Sequence, residues 1–384
     1  MSQSDSPTYL AALGDSTKIH TWSGIPFHLL AEAKTSGMLQ NGLSFEPGGL
    51  QVAFRRCAWN WVQAFLRRGV GGYQYSNGFL ESLWRPFHAQ LRGSRVVNCF
   101  QLYPESVVSN KDCAKWFYID MTLKQLFASY GFRGSDSTKQ VDRILSRESF
   151  GYLAAKGIIA HSRWAAQSLS EDYAIPLDRI HIVVPGANIE REAYRAWYQE
   201  AKPLPEYKTG DVLRLIFVGK DWARKGLKEL ISALQILRAE GVQVLLRVVG
   251  CSKRDVPTEI TDVPGVEWLG EIDKKTQLKK FLEVVSSNHI GCLPSKAEAG
   301  GIALREYHAL GLVTVAPRLM GVPDHVVPEA SMLLDPPTTP ATIASGIFAL
   351  ISSPQRFATF RHNAWAARQS ALWSTSVEKM SGLW

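Results

Sequence analysis

The chain has no apolar run of about eighteen residues, the length a membrane-spanning helix needs, so no span is read from it. Its first residues, Met1-Ser-Gln-Ser-Asp-Ser-Pro7, are polar and lack the apolar core of a secretory leader. Cysteine is sparse. Cys57, Cys99, Cys113, Cys251 and Cys292 are odd in number and scattered, which argues against a disulfide framework and for reduced, mostly buried thiols. Neither they nor His28, His161, His289, His308 and His325 show metal-ligand spacing, so the histidines read as core or surface residues. No Asp-x-Asp motif and no repeat of fixed period occurs. No basic segment carries interleaved base-reading residues, and no nucleic-acid partner is expected. Positive charge is in excess, with 43 Lys and Arg against 35 Asp and Glu. That balance suits an anionic ligand, an anionic acceptor or a membrane face. The expected location is cytoplasmic, with peripheral contact at the inner face of a membrane.

A chain of 384 residues usually divides into two cores. In the first half, Tyr9–Leu13, Val96–Phe100, Trp116–Ile119, Gly157–Ala160 and Ile180–Val184 are short apolar runs bounded by polar or turn residues. The second half repeats the pattern at Leu213–Val218, Val244–Val249, Val266–Leu269, Ile290–Leu293, Val313–Ala316 and Met332–Leu334. Such runs suit buried parallel strands. Helical stretches alternate with them, among them Phe27–Ser36, Glu190–Ala201 and Leu227–Glu240, while 134–138 reads as a polar loop. The alternation predicts an α/β chain of two Rossmann-like, doubly wound parallel-sheet domains facing across a cleft, with ligands at the carboxyl ends of the strands. The boundaries read as 1–188, a proline-bearing linker over 189–212, and 213–364.

The segment Glu298-Ala-Gly-Gly-Ile-Ala-Leu-Arg-Glu306 carries the most chemistry. Its glutamates are eight residues apart, a little over two helical turns, so a helix starting near Gly300 holds Glu306 while Glu298 stays in the preceding loop. Glycine lets a ligand approach the backbone, and the free amides of a first helical turn favour an anion. Carboxylates accept from sugar hydroxyls and repel phosphate. A site that wants both an anion and hydroxyls suits a nucleotide-sugar. Upstream, Gly219-Lys-Asp-Trp-Ala-Arg-Lys-Gly226 gathers cations just before the helix Leu227–Glu240, where they are disfavoured unless an anion joins them.

Together with Val248-Val-Gly250, Val266–Gly270, Leu293-Pro-Ser295 and Gly321-Val-Pro-Asp324, these segments resemble, in order and spacing, the GT-B glycosyltransferases of family 4 (the retaining group 1 enzymes). Thr21–Pro26, Tyr118–Thr122, Ala160–Ala165 and Val184–Asn188 resemble the first domain more loosely, and 365–384 resembles the terminal segment that returns to it. The resemblance implies retaining transfer, of a hexose as the expected sugar, from a UDP- or GDP-linked donor to a saccharide, lipid-linked or small-molecule acceptor, as in polysaccharide or glycoconjugate biosynthesis. It implies no required cofactor or metal. Lys220 and Lys225, with Gly219 and backbone amides at Gly300, Gly301 and Ile302, would hold the diphosphate. Glu298, beside Ser295, would hold the donor sugar and Glu306 the ribose. Gly270 and Ile272 would lie at the base, and Gly24 would let a first-domain loop approach the phosphates. Departures stand out: Lys220 replaces an arginine, Gly300 replaces a phenylalanine and loosens that wall, and the usual first-domain histidine has no counterpart, leaving Asp120 or Gln101 for its place. Two other readings share these motifs, a GT-B sugar phosphorylase and a non-catalytic nucleotide-sugar-binding protein.

Phe54, Ala58, Trp61 and Phe65 share one stripe of a helix with Arg55, Arg56, Arg67 and Arg68 at its ends. An interfacial helix has this pattern. A core-facing helix with solvated ends has it too, and base rates favour that reading. Trp22 and Trp59 divide similarly between an acceptor groove and an aromatic core.

Overall fold

A computed structural model describes residues 6–45, 50–65, 71–131 and 138–384. The loop read at 134–138, apart from its last residue, and the pair Arg67 and Arg68 lie outside the described residues. Contacts divide the chain into one unit of Met1–Val184 with Val377–Trp384 and another of Pro185–Ser376.

The first unit is built on seven strands: β1 Thr8–Ala11, β2 Gly14–Asp15, β3 Asn41–Phe45, β4 Arg95–Asn98, β5 Ala114–Ile119, β6 Gly157–Ala160 and β7 Ile180–Ile182. Their spatial order is β2-β3-β1-β4-β5-β6-β7, parallel except for the β2–β3 pair. β4 and β6 are buried along their whole length, as sheet strands covered on both faces must be. The order of strand addition reverses beside β1, whose parallel neighbours are β3 and β4, and this opens a crevice at the carboxyl ends of β1 and β4.

The second unit has six parallel strands: β8 Leu213–Val218, β9 Val244–Val249, β10 Val266–Gly270, β11 Ile290–Cys292, β12 Val313–Pro317 and β13 Ser331–Leu334. Their order, β10-β9-β8-β11-β12-β13, places the reversal between β8 and β11. Leu227, Leu230, Ile231, Leu234 and Leu237 bury one stripe of helix Leu227–Ala239 in the core.

Helix Leu50–Phe65 corrects the core-facing reading. Phe54 is 75%, Trp61 80% and Phe65 82% exposed, and Ala58 and Val62 are exposed beside them. The inward face is the other one, with Gln63 buried and Trp59 donating from its indole to Gly71 O at 2.9 Å. The five histidines are buried, as are four of the cysteines, and only Cys57 is exposed.

Candidate functional site

In the second unit the expected residues gather on loops leaving β8, β10 and β11. A Cβ added to Gly219 would lie 2.4 Å from Lys225 Cδ, so the lysine stem crosses a space only glycine leaves open. Lys225 is half-buried, and no carboxylate lies within ion-pair distance of it among the described residues. Lys220 is spent differently: its Nζ lies 2.5 Å from Glu271 Oε1 in a largely exposed pair. The Lys296 amide donates to Arg224 O at 2.8 Å and stitches the loop after β8 to the loop after β11.

Glu298 is held by two donors, Arg224 NH1 and Ser295 Oγ, each 3.3 Å from its Oε2. Arg224 also donates to Ala297 O at 2.7 Å and to Asp221 Oδ2 at 2.9 Å. The guanidinium fork thus fixes the carboxylate's direction as a lysine could not. Sequence reasoning placed Arg224 in a basic cluster without assigning it this task.

Gly301, at φ +84°, caps helix Ile302–Ala309, which starts two residues after Gly300, and a Cβ on Gly301 would lie 3.3 Å from Glu298 Cγ, so the helix start and the loop of Glu298 are in close contact. Glu306 lies on that helix, buried, with Oε1 bound by Lys274 Nζ. Lys274 also donates to Asn188 O at 3.3 Å. Nothing in the sequence marked Lys274, which follows the buried Ile272 by two residues and ties the loop after β10 to Glu306. Gly270, at φ +67°, ends β10 and accepts from the Gly250 amide at 2.8 Å.

Gly300 does not loosen the wall. A Cβ there would lie 2.2 Å from Nε2 of His325, whose ring fills that space. His325 Nδ1 lies 3.0 Å from Gly321 O, which can only accept, so Nδ1 carries the proton. Burial lowers its pKa to about 3 and keeps the ring neutral.

The remaining expected residues lie in the first unit. Gly24, at φ +85°, caps helix Ile25–Thr35, preceded by Trp22 and Ser23, both also at positive φ. Two consecutive side-chain-bearing residues in that region store backbone strain. Trp22, Cys99, Phe100, Gln101, Asp120 and Met121 line a cavity of about 310 Å³ at the carboxyl ends of β1, β4 and β5. Gln101 Nε2 is anchored to Met121 O at 3.0 Å, and Trp22 stacks on His161 at 5.5 Å. Burial, with a smaller contribution from Asp120, pushes the Cys99 thiol pKa up. Among the described residues no group of three or more His, Cys, Asp or Glu could hold a metal ion.

Two Rossmann-like units with this loop chemistry define the class: the fold is the GT-B fold of the glycosyltransferases. Within that class, residues 213–353 match the family described as Glycosyl transferases group 1. The chain is 25% identical over 248 residues to D-inositol 3-phosphate glycosyltransferase 1 of Catenulispora acidiphila, covering 62% of this chain and 58% of that protein. D-inositol 3-phosphate glycosyltransferase of Corynebacterium glutamicum is 25% identical over 229 residues, covering 57% of this chain and 54% of that protein. The match thus spans little more than half the length of these curated relatives. The sucrose-phosphate synthase structure from Thermosynechococcus elongatus shares the fold with a TM-score of 0.67, at 16% identity over 98% of both chains. Anabaena HepE, solved with UDP and glucose, does so at 0.60, with 16% identity over 97% of this chain and 98% of that one.

Proposed function

We propose that the protein is a retaining, metal-independent glycosyltransferase of family 4 that moves a sugar, a hexose in the first instance, from a UDP- or GDP-linked donor to a saccharide, lipid-linked or small-molecule acceptor. Polysaccharide or glycoconjugate assembly in the cytoplasm is the setting this fits. The observation that carries the reading is that two joined loops, after β8 and β11, bring a lysine with no ion pair among the described residues together with an oriented carboxylate ahead of a helix N-terminus. Lys225 and the first amides of helix Ile302–Ala309 meet the diphosphate. Negative charge builds there as the glycosidic bond breaks, so these groups stabilise the transition state more than the ground state. Glu298, aimed by Arg224 and Ser295, accepts from donor-sugar hydroxyls. Glu306 accepts from the ribose once Lys274 yields to it, and the backbone from Gly270 to Ile272 meets the base. Asp120 and Gln101 face the acceptor in the cavity beside Trp22. HepE's bound UDP and glucose, and the polyol phosphate in the relatives' name, support this choice of substrate classes.

The test is release of nucleoside diphosphate from UDP- and GDP-sugars, with and without EDTA. Slow donor hydrolysis is expected even without acceptor, undiminished by the chelator. Loss of turnover on chelation, restored by magnesium or manganese, would show that the lysines and amides do not suffice.

A further inference from the structure

The first unit holds a second cavity that none of the roles above uses. It measures about 290 Å³ and lies between the inward face of helix Leu50–Phe65, the segment 72–78 and helix Thr138–Ala154. Trp59, Gln63, Tyr75, Gln140, Arg143 and Arg147 are among its walls.

Two of these side chains have unmet needs of opposite kinds. Arg147 is half-buried, and burial disfavours its charge. It donates to Tyr75 O and, at 3.5 Å, to Asn77 Oδ1, both uncharged, and no carboxylate lies within ion-pair distance among the described residues. Glu81 and Glu105 act on it only from farther off. A desolvated cation in this position is stabilised by an anion that enters beside it. Arg143, exposed at the rim, adds a second positive charge. Gln140 is 6% exposed, and its Nε2 donates to Gly71 O at 2.8 Å while its Oε1 is buried with no donor among the described residues. A buried acceptor left unsatisfied costs about 1–3 kcal/mol, which a ligand hydroxyl would relieve. Gln63, also buried, offers an amide on the same wall. Trp59 and Tyr75 supply flat apolar faces of the sort a sugar ring covers.

We infer that this cavity binds an anionic polyol, a phosphorylated or carboxylated sugar, as a second subsite on the acceptor side of the molecule. Arg147 and Arg143 take the anion, Gln140 and Gln63 the hydroxyls, and Trp59 the ring. The link to the acceptor cavity is one aromatic layer. The Tyr75 ring stacks on Phe100 at 6.1 Å and 12°, and Phe100 lines the cavity of Asp120 and Gln101. As an acceptor subsite it rests on the function proposed above, but the binding itself does not.

Calorimetry on the full chain tests it with glucose 6-phosphate, glucuronate, glucose and inorganic phosphate as probes. At least one of the two anionic sugars is expected to bind one-to-one, with glucose and inorganic phosphate each about tenfold weaker or more, since each lacks one of the two contacts. Arg143→Glu and Gln140→Leu, both chosen to spare the Arg147 contacts to Tyr75, should each weaken that binding about fivefold or more while near-ultraviolet circular dichroism stays unchanged. Trp59→Phe should remove any accompanying change in tryptophan emission. No heat with either anionic sugar at millimolar concentration, equal affinity for glucose or for phosphate alone, or unchanged affinity in both variants would each overturn the site. A UDP-induced thermal shift in the same preparation reports on the donor reading separately.

Discussion

Lys225 and Lys220 show how two like residues five positions apart come to differ. Lys220 projects into solvent and pairs with Glu271, an exposed ion pair of the kind worth little. Lys225 is folded back over Gly219 and has no ion pair among the described residues, which in the proposed function leaves it to the donor diphosphate. Lys225→Ala should therefore lower turnover by tenfold or more, about the 1.5–3 kcal/mol of a charge-assisted hydrogen bond, and Lys220→Ala by clearly less. Both should weaken UDP more than uridine, as titrations of the two ligands will show; equal losses for both would remove the lysines from the phosphates. The sequence assigned both lysines to the diphosphate through a family resemblance, but it could not show Arg224 reaching across to Glu298 or Lys274 closing on Glu306. Those contacts join residues 74 and 32 positions apart, the first across adjacent strands β8 and β11 and the second across strands β10 and β11 that are not neighbours, and exist only once the sheet is assembled. The same limit hid His325, whose ring occupies the space that Gly300 leaves.

At the scale of elements, the buried strands were legible because continuous apolar runs have few other uses, and β6, β8 and β9 begin and end where the pattern does. β2 and β3 were not. β2 is two residues long, and β3 is a partly exposed strand, Asn41-Gly-Leu-Ser-Phe45, with little β-branching to announce it. Helix Leu50–Phe65 was legible as amphipathic, yet the pattern alone does not say whether the apolar stripe faces the core or solvent. Its exposed aromatics, with Arg55 and Arg56 alongside, support peripheral membrane contact as part of the proposed function. Co-sedimentation should show binding to anionic vesicles that exceeds binding to neutral ones and falls with salt, and Trp61→Glu should reduce it. Equal, salt-insensitive recovery on both lipids would count against the contact.

Helix Thr138–Ala154 carries a different device. Glu148, fully buried, accepts from the Leu123 amide at 2.6 Å, from Tyr152 Oη at 2.7 Å and from Tyr173 Oη, and so fastens the start of helix Leu123–Tyr130. Burial raises its pKa to about 7 despite those donors. A carboxyl with a raised folded-state pKa contributes stability that is complete below its unfolded value, near 4.5, and is lost as pH rises through about 7. The buried neutral histidines titrate with the opposite sign, so the contribution of Glu148 is read by difference: between about pH 4.5 and 7 the melting temperature of the wild type should fall relative to that of Glu148→Gln. An unchanged slope in the variant would refute the assignment.

For the molecule as a whole, the reversal points in the strand order are where parallel α/β sheets of this kind offer a ligand crevice. One reversal carries the cavity of Asp120 and Gln101, and the loops of Lys225 and Glu298 leave the strands, β8 and β11, that flank the other. Base, sugar and acceptor depend on side chains at those crevices, not on the fold, which is why periodicity alone never reached them. The central claim is that the second unit binds a nucleoside-diphosphate sugar. Its most direct test is a thermal-shift panel of UDP-, GDP- and ADP-sugars on the purified chain. A ligand at a hundred times its dissociation constant stabilises by about 2.7 kcal/mol, a shift of several degrees or less for a chain of this size. One base should stand out in the panel, and its shift should shrink in Lys225→Ala. The absence of a shift with every donor at millimolar concentration, or a shift of the same size in the variant, would contradict the account.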